Sequence, residues 1–336
     1  MYKKRENMEL VLNSFGMALS KENNGFIISG PEGSYRVPVN GVKSIRIAQS
    51  AQITSDAIML ALDNEIELLF TDKGGYPKGR VWSPKYGSIS TIRKGQIEFI
   101  SSPFAVQLIK DIIVTKIKNQ QALLYILQTE EETRTKACNQ ASVKLEMLKS
   151  KVAQLKGDSI RDIASSIRGF EGAASKIYFD AYSRFLPPES TFKVRTQHPA
   201  MDPANALLNY GYGILYSKVE GAMILAGIDP YIGLLHRDEY NRPVLVYDVI
   251  ELYRLWVEYV VFRILEKGIF SEDFCSRQQD GSVWLENMGR RVLIQSLNDY
   301  LQEVVNEGNK ARSRASLIEL YVQNLAQKFK NYKQQC

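Results

Sequence analysis

Histidine is almost absent from this chain. Only His198 and His236 occur in 336 residues, so chemistry that needs an imidazole has two addresses. Cysteine is nearly as scarce. Cys138, Cys275 and Cys336 are odd in number, far apart and without a CxxC spacing. That argues against a disulfide framework or a thiolate zinc site and for reduced cytoplasmic thiols. No uncharged apolar run approaches the roughly 18 residues that span a bilayer. The basic start MYKKRENMEL lacks the apolar stretch of a secretory leader behind it. A cytoplasmic location with no membrane partner is expected. Internal repeats and low-complexity tracts are missing as well. So is a strong charge bias: residues 1–97 hold 13 Lys and Arg against 9 Asp and Glu, leaving 30 against 28 for the rest. The net charge of +6 is compatible with a polyanion partner, but any nucleic-acid surface must come from clustering in three dimensions.

What remains is ordinary globular material, 45% apolar and 24% charged, in a chain longer than one core usually holds. Two domains are expected, over residues 1–97 and 98–336. The first reads as β structure. ELVLN (9–13), the MALSKENNGFIIS segment with Asn24-Gly25 between apolar runs, SYRVPV (34–39), VKSIRIA (42–48) and IELLFTD (66–72) read as short strands. Ser55–Leu62 reads as a helix. The turn-rich GGYPKG (74–79) follows, with Trp82 beyond it. Closely spaced short strands with one helix imply a small sandwich. After Ser101-Ser102-Pro103 helical periodicity takes over. Phe104–Gln128, Glu130–Gly157, Ser159–Leu186, Pro203–Gly227, Pro243–Lys267, Trp284–Asn306 and Ala311–Tyr332 read as seven helices. The fold class is therefore α+β: an N-terminal β-sandwich-like domain and a larger C-terminal all-α domain. The basic loop Pro187–Asp202 (Lys193, Arg195, His198) is long enough to be functional or disordered.

Candidate chemistry lies in the helices. Glu171 falls in or beside the stripe Ile160, Ile163, Ile167, Phe170, Ala174, Ile177, where an unpaired carboxylate would be costly. It needs a basic partner such as Arg168 or Arg184, a metal, or a wet cleft. The flanking Gly169 and Gly172 suit close approach of something large to the backbone. His236 sits in a polar break between two apolar runs, as a structural, surface or ligating residue. Asp248 and Glu251 share a helix face at i, i+3, which a helix dipole explains as readily as a metal does. Taken together, two carboxylates and an imidazole form an O/N donor set suited to Mg²⁺ or Mn²⁺.

RGFEG (168–172), LNYGYGILYSKVEGAMILAGIDPYIGLLHRD (208–238), RPVLVYDVIELYR (242–254) and GRRVLI (289–294) resemble, in order and spacing, the CRISPR-associated adaptation integrase. This is the first of the CRISPR-associated proteins, which inserts new spacers in prokaryotic antiviral defence. The resemblance runs from about Met8 to Lys330 and includes KIKNQ (116–120). It implies metal ligands at Glu171, His236 and Glu251, the last where many relatives have Asp. It also implies an auxiliary acid at Asp248, an active-site tyrosine at Tyr216, and phosphate contacts at Arg237 and Arg242. The activity implied is a Mg²⁺- or Mn²⁺-dependent DNA endonuclease and integrase. A 3′-hydroxyl of spacer-precursor DNA would attack a phosphodiester at the leader–repeat junction. A homodimer formed through the β domain, and a small ferredoxin-like second CRISPR-associated protein, are the implied partners. A transposon-borne integrase with the same site, and a non-catalytic DNA-binding scaffold, are the alternatives.

Overall fold

A computed structural model of the chain describes residues 8–332, apart from 32, 73–76, 82–89, 129–131, 237–241 and 309. The start of the GGYPKG turn, Trp82 and Arg237 therefore lie outside the described residues. The chain divides into two compact units, residues 1–88 and 89–336. A boundary at 97 would cut a helix, Ser90–Ile100, that belongs to the second unit.

The first unit runs β1 (Met8–Leu12), β2 (Ala18–Glu22), β3 (Gly25–Gly30), β4 (Gly33–Pro38), β5 (Val42–Ala48), β6 (Gln52–Ile53), α1 (Ser55–Asp63), β7 (Glu67–Thr71) and β8 (Pro77–Val81). Two four-stranded sheets result, in the orders β1-β5-β7-β8 and β4-β3-β2-β6. Both contribute to one core: Leu10, Leu12, Ile45, Ile47 and Leu68 come from the first sheet, and Leu19, Phe26, Ile28 and Val37 from the second. The period-2 alternation of Phe26 and Ile28, with Ser29 and Ile27 less buried, is what directs one face of β3 inward. In the β2–β3 hairpin Glu22 pairs with Gly25, so the turn is Asn23-Asn24 rather than Asn24-Gly25. Asn23 takes the left-handed conformation there at φ +52°, which asparagine tolerates better than most residues.

The second unit comprises α2 (Ser90–Ile100), α3 (Pro103–Ile126), α4 (Glu132–Gln154), α5 (Ile160–Phe185), α6 (Pro203–Ala226), α7 (Val244–Ile250), α8 (Arg254–Glu266), β9 (Cys275–Arg277), β10 (Val283–Leu285), α9 (Asn287–Gln302), β11 (Val304–Glu307), β12 (Lys310–Ser313) and α10 (Arg314–Asn331). Start and stop signals are those of the sequence. Pro103 opens α3, Asp162 accepts from the Ser159 amide at 2.9 Å to open α5, and Asp202 caps α6 through the Asn205 amide at 2.8 Å. Gly227, at φ +81°, ends α6 as a left-handed cap.

Two departures from periodicity matter. Pro243–Lys267 is not one helix but two, α7 and α8, with a break at Glu251–Tyr253. Asn119 on α3 donates to the Leu252 carbonyl in that break at 3.1 Å, supplying the bond that a continuous helix would have made internally. Trp284–Asn306 and the start of Ala311–Tyr332 contain strands rather than helix only. The β9–β10 and β11–β12 hairpins make the unit mainly helical rather than wholly so, with Gly308 at φ +59° in the second turn.

The helices pack closely around α6. A Cβ on Gly211 would lie 2.4 Å from Val257 Cγ1, so glycine is what lets α6 and α8 approach. The long basic loop is tied down. Arg195 bonds Asn205 Oδ1 at 2.8 Å and Asn209 Oδ1 at 2.6 Å, and its guanidinium lies over the Phe179 and Tyr212 rings. Arg195 is thus an internal brace. Among the described residues no helix is long and apolar enough to cross a membrane.

Candidate metal and acid–histidine centre

Glu171, Glu251, Asp248 and His236 come from three places in the helical unit. Glu171 lies on α5 between the buried Ile167 and Ala174, with a side chain 28% exposed. Glu251 sits at the α7–α8 break with a side chain only 8% exposed. Neither Arg168 nor Arg184 pairs with Glu171 in any ion pair the described residues form. Its partner is Lys116 on α3, whose buried ammonium contacts Glu171 Oε1 and Glu251 Oε2, the latter at 2.6 Å. Arg254, the first residue of α8, reaches Glu251 Oε1 at 3.2 Å. Arg168 instead donates to the Leu235 carbonyl at 2.6 Å, bracing the histidine loop. Among the described residues, nothing beyond the helix's own backbone and adjacent residues lies within 4 Å of a Cβ built on Gly169 or Gly172, so that side of the backbone beside Glu171 is open.

The histidine loop is built around Asp248. This carboxylate is fully buried on α7 and accepts from the backbone amides of Leu234 (2.7 Å), Leu235 (3.1 Å) and His236 (3.3 Å). Its Oδ1 also holds His236 Nδ1 at 2.7 Å. With Nδ1–H donating to Asp248, Nε2 carries the lone pair available to a ligand. Gly233 makes the tight path possible, because a Cβ there would meet the His236 carbonyl and Val244 Cγ2 at 2.8 Å. Gln96 on α2 fastens the start of the loop, donating to the Asp229 carbonyl at 2.7 Å and accepting from its amide at 2.9 Å. Tyr247 bridges the histidine and Tyr216, with ring centroids 5.6 and 5.1 Å away. The Tyr216 hydroxyl donates to the Pro243 carbonyl at 3.3 Å. Arg242 is exposed at the end of the same loop.

The electrostatics follow from burial set against pairing. Burial works against a charged Lys116, but Glu251 and Glu171 beside it outweigh that and raise its pKa, keeping the ammonium charged. Burial likewise pushes the Glu171 carboxyl up, and Lys116 more than cancels this, leaving it below its ordinary value. For His236 burial favours the neutral ring, while the bond and charge of Asp248 prevail and raise the pKa. Burial raises the Tyr216 phenol, which stays protonated.

A further polar group lies behind this cluster. Glu258 on α8, 2% exposed, accepts from Tyr178 at 2.5 Å and Tyr212 at 2.7 Å, and burial raises its pKa. Arg254 stacks over Tyr212 at 4.9 Å, linking Glu258 to the Glu251 pair. Glu258→Ala is expected to lower the unfolding free energy by about 3 kcal/mol, since two buried phenols lose their acceptor and a cavity opens. Glu258→Gln should recover most of that in urea denaturation. Equal losses for the two would assign the effect to the charge instead.

Sequence reasoning missed Lys116, Asn119, Arg254 and Glu258. Lys116 and Gln120 carried a signal: they fall at i, i+4 within the buried face of α3, beside Ile112, Ile113 and Ile117, where charged and amide groups need a reason to be.

The donor set can be tested against a divalent cation. Among the described residues no three His, Cys, Asp or Glu side chains stand close enough together to hold a metal as they lie. Two carboxylates nonetheless converge on one point, and Glu251 Oε2 is buried without a well-aligned hydrogen bond even though Lys116 Nζ is 2.6 Å away. That oxygen retains lone-pair capacity, and hard oxygen donors beside an imidazole fit Mg²⁺ or Mn²⁺.

Two strand-built sheets followed by a helical unit with an acid, lysine and histidine cluster define a two-unit α+β architecture. Comparison with known proteins gives it a family. The family described as CRISPR associated protein Cas1 matches residues 10–299, and the chain belongs to it. A relative from Archaeoglobus fulgidus named CRISPR-associated endonuclease Cas1 1 is 30% identical over 331 residues, 95% of each chain. One of the same name from Thermodesulfovibrio yellowstonii is 29% identical over 80% of this chain and 82% of its own. Among solved structures, a Cas1 protein from Thermotoga maritima superposes with a TM-score of 0.79 at 19% identity, covering 97% of both chains. A casposase bound to integration product gives 0.82 at 21% identity, over 97% of this chain and 92% of that one. A Cas6-RT-Cas1–Cas2 complex gives 0.78 at 23% identity; this chain spans 36% of that longer one.

Proposed function

We propose that this protein is a DNA endonuclease and integrase of CRISPR adaptation, inserting new spacers into a repeat array in antiviral defence. One observation carries the reading: Glu171 and Glu251 meet at Lys116 beside an Asp248-oriented His236, in a chain 30% identical over nearly its whole length to a CRISPR-associated endonuclease. The reaction we assign is transesterification. A DNA 3′-hydroxyl attacks a phosphodiester phosphorus, a new O–P bond forms as the old one breaks, and the leaving 3′-oxygen takes up a proton. The bond count is conserved, so no external energy source is needed. Mg²⁺ or Mn²⁺, held by Glu171, His236 Nε2 and Glu251, would polarise the phosphoryl oxygen and steady the leaving oxygen.

The protein's own groups prepare the centre. Asp248 fixes the His236 ring and its tautomer. The α7–α8 break carries Glu251 where Lys116 joins it to Glu171. Tyr216, kept protonated by burial, can donate to a phosphate or leaving oxygen. Arg242, exposed just before α7, and Arg237 suit phosphate oxygens. We further propose a homodimer built through the strand-rich unit and a small ferredoxin-like partner. The Cas1–Cas2 naming of one similar complex supports that partner. A transposon-borne integrase remains the second reading, favoured by the likeness to a casposase. It shares the chemistry and differs in target.

The deciding experiment is strand transfer with the partner protein, a supercoiled plasmid bearing a leader and repeats, and Mg²⁺ or Mn²⁺ in turn. Insertion at the leader–repeat junction supports the first reading, and insertion at a transposon-type target the second. No insertion with any metal would overturn both. DNA affinity should fall at least about a hundredfold between roughly 50 and 200 mM salt, as counterions compete for phosphates. Salt-independent binding in a filter or anisotropy assay would contradict phosphate-led recognition.

A further inference from the structure

Lys116 places a fixed positive charge where the proposed chemistry wants a mobile one. Its ammonium, on a side chain 6% exposed, contacts both Glu171 and Glu251. Two carboxylates brought to one nitrogen repel each other strongly in a buried setting, so some cation must stand between them for the helices to pack. Arg254 cannot serve alone, because it reaches only Glu251 Oε1 and is held by its stacking on Tyr212.

We propose that Lys116 is the built-in counter-ion of the Glu171–Glu251 pair, joining the two carboxylates before a divalent cation arrives and releasing both when one binds. This rests on the divalent-metal reading of the centre given above. A cation taking the same carboxylate oxygens would face the ammonium at close range, and like charges cannot share those lone pairs. Lys116 therefore has to move, and the structure holds an acceptor for it. Gln120, one turn further along the same face of α3, is 3% exposed, and its Oε1 accepts no hydrogen bond among the described residues. A buried amide oxygen left unmet is costly, and a lysine one turn away can supply the missing donor. The flexible four-carbon stem of lysine permits the shift, where a rigid guanidinium would not. Lys116 is on this account a positioning residue: it neither ligates nor touches DNA, and it sets how tightly the centre takes its cation.

Mn²⁺ titration calorimetry on the purified full chain tests this, using the parent, Lys116→Met, Lys116→Gln and Lys116→Arg. Thermal midpoints with and without Mn²⁺ complete the set, and the heat lost in Glu171→Ala identifies binding at this centre. Lys116→Met and Lys116→Gln should melt earlier without metal, bind Mn²⁺ about tenfold or more tighter, and gain more in midpoint when Mn²⁺ is added. Lys116→Arg keeps the charge without the freedom to swing aside, and should bind Mn²⁺ no tighter than the parent. Should Lys116→Met fail to fold, Lys116→Gln, which keeps an N–H donor towards Glu171, gives the comparison. Unchanged or weaker Mn²⁺ binding in the uncharged variants, or equal tightening in Lys116→Arg, overturns the counter-ion role. A parent protein that binds no Mn²⁺ at this centre brings down the metal reading itself, a result distinct from the others.

Discussion

Purified Glu171→Ala and Glu171-intact His236→Ala proteins are each expected to lose strand transfer by at least about a thousandfold, while DNA affinity stays within about threefold of the parent because phosphate contacts elsewhere dominate it. Folding should be largely preserved. Glu171→Ala leaves Lys116 its ion pair with Glu251, so no buried charge is stranded. His236→Ala leaves Asp248 its bonds from the Leu234 and Leu235 amides, so the loop keeps its path. Each loss would therefore be chemical rather than structural. Strand transfer and DNA binding measured on the same preparations, with Mg²⁺ and with Mn²⁺, check this. Transfer at the parent rate by either variant would show that the cluster is not the reacting centre.

Asp248→Asn should lower strand transfer by about 10–100-fold, the usual cost of losing a group that orients a ligand. The buried carboxylate takes four hydrogen bonds through two oxygens, three from backbone amides and one from the His236 ring. An asparagine offers one acceptor oxygen, so it can hold the amides or orient the ring, but not both. Asp248→Ala should reduce transfer similarly and also cost about 2–3 kcal/mol of stability, because buried amides lose their acceptor. Activity and urea midpoint read together separate the two roles. An Asp248→Asn protein of full activity would reduce Asp248 to a structural brace.

Much of this was legible in residue order. The hairpin around Asn23 and Asn24, the alternation in β3, Pro103 opening α3, and Gly227 closing α6 all express local preferences that hold whatever packs around them. The hairpin turn nonetheless fell one residue earlier than Asn24-Gly25, since strand pairing rather than turn preference chose the register. The α7–α8 break was illegible for a different reason. Neither Gly nor Pro occurs in Glu251–Tyr253, and the interruption is held by Asn119, more than a hundred positions away in the chain. The β11–β12 hairpin was missed because its strands are short and run directly out of α9 and into α10.

By itself the sequence determined the strand-rich start and mainly helical remainder, the ends of α3, α5 and α6, and the identity of the acids and the histidine, since these depend on neighbours a few positions apart. It also showed that Glu171, set among Ile167, Ala174 and their row, needed a partner. Which partner was decided by the tertiary structure alone. Arg168, three residues away, turned instead to the Leu235 carbonyl, and Lys116, from another helix, reached Glu171 and Glu251 together. The choice depends on how α3, α5 and the α7–α8 break pack around one buried charge. Opposite charges in a low-dielectric interior select the partner that packing brings within contact, not the one nearest in sequence.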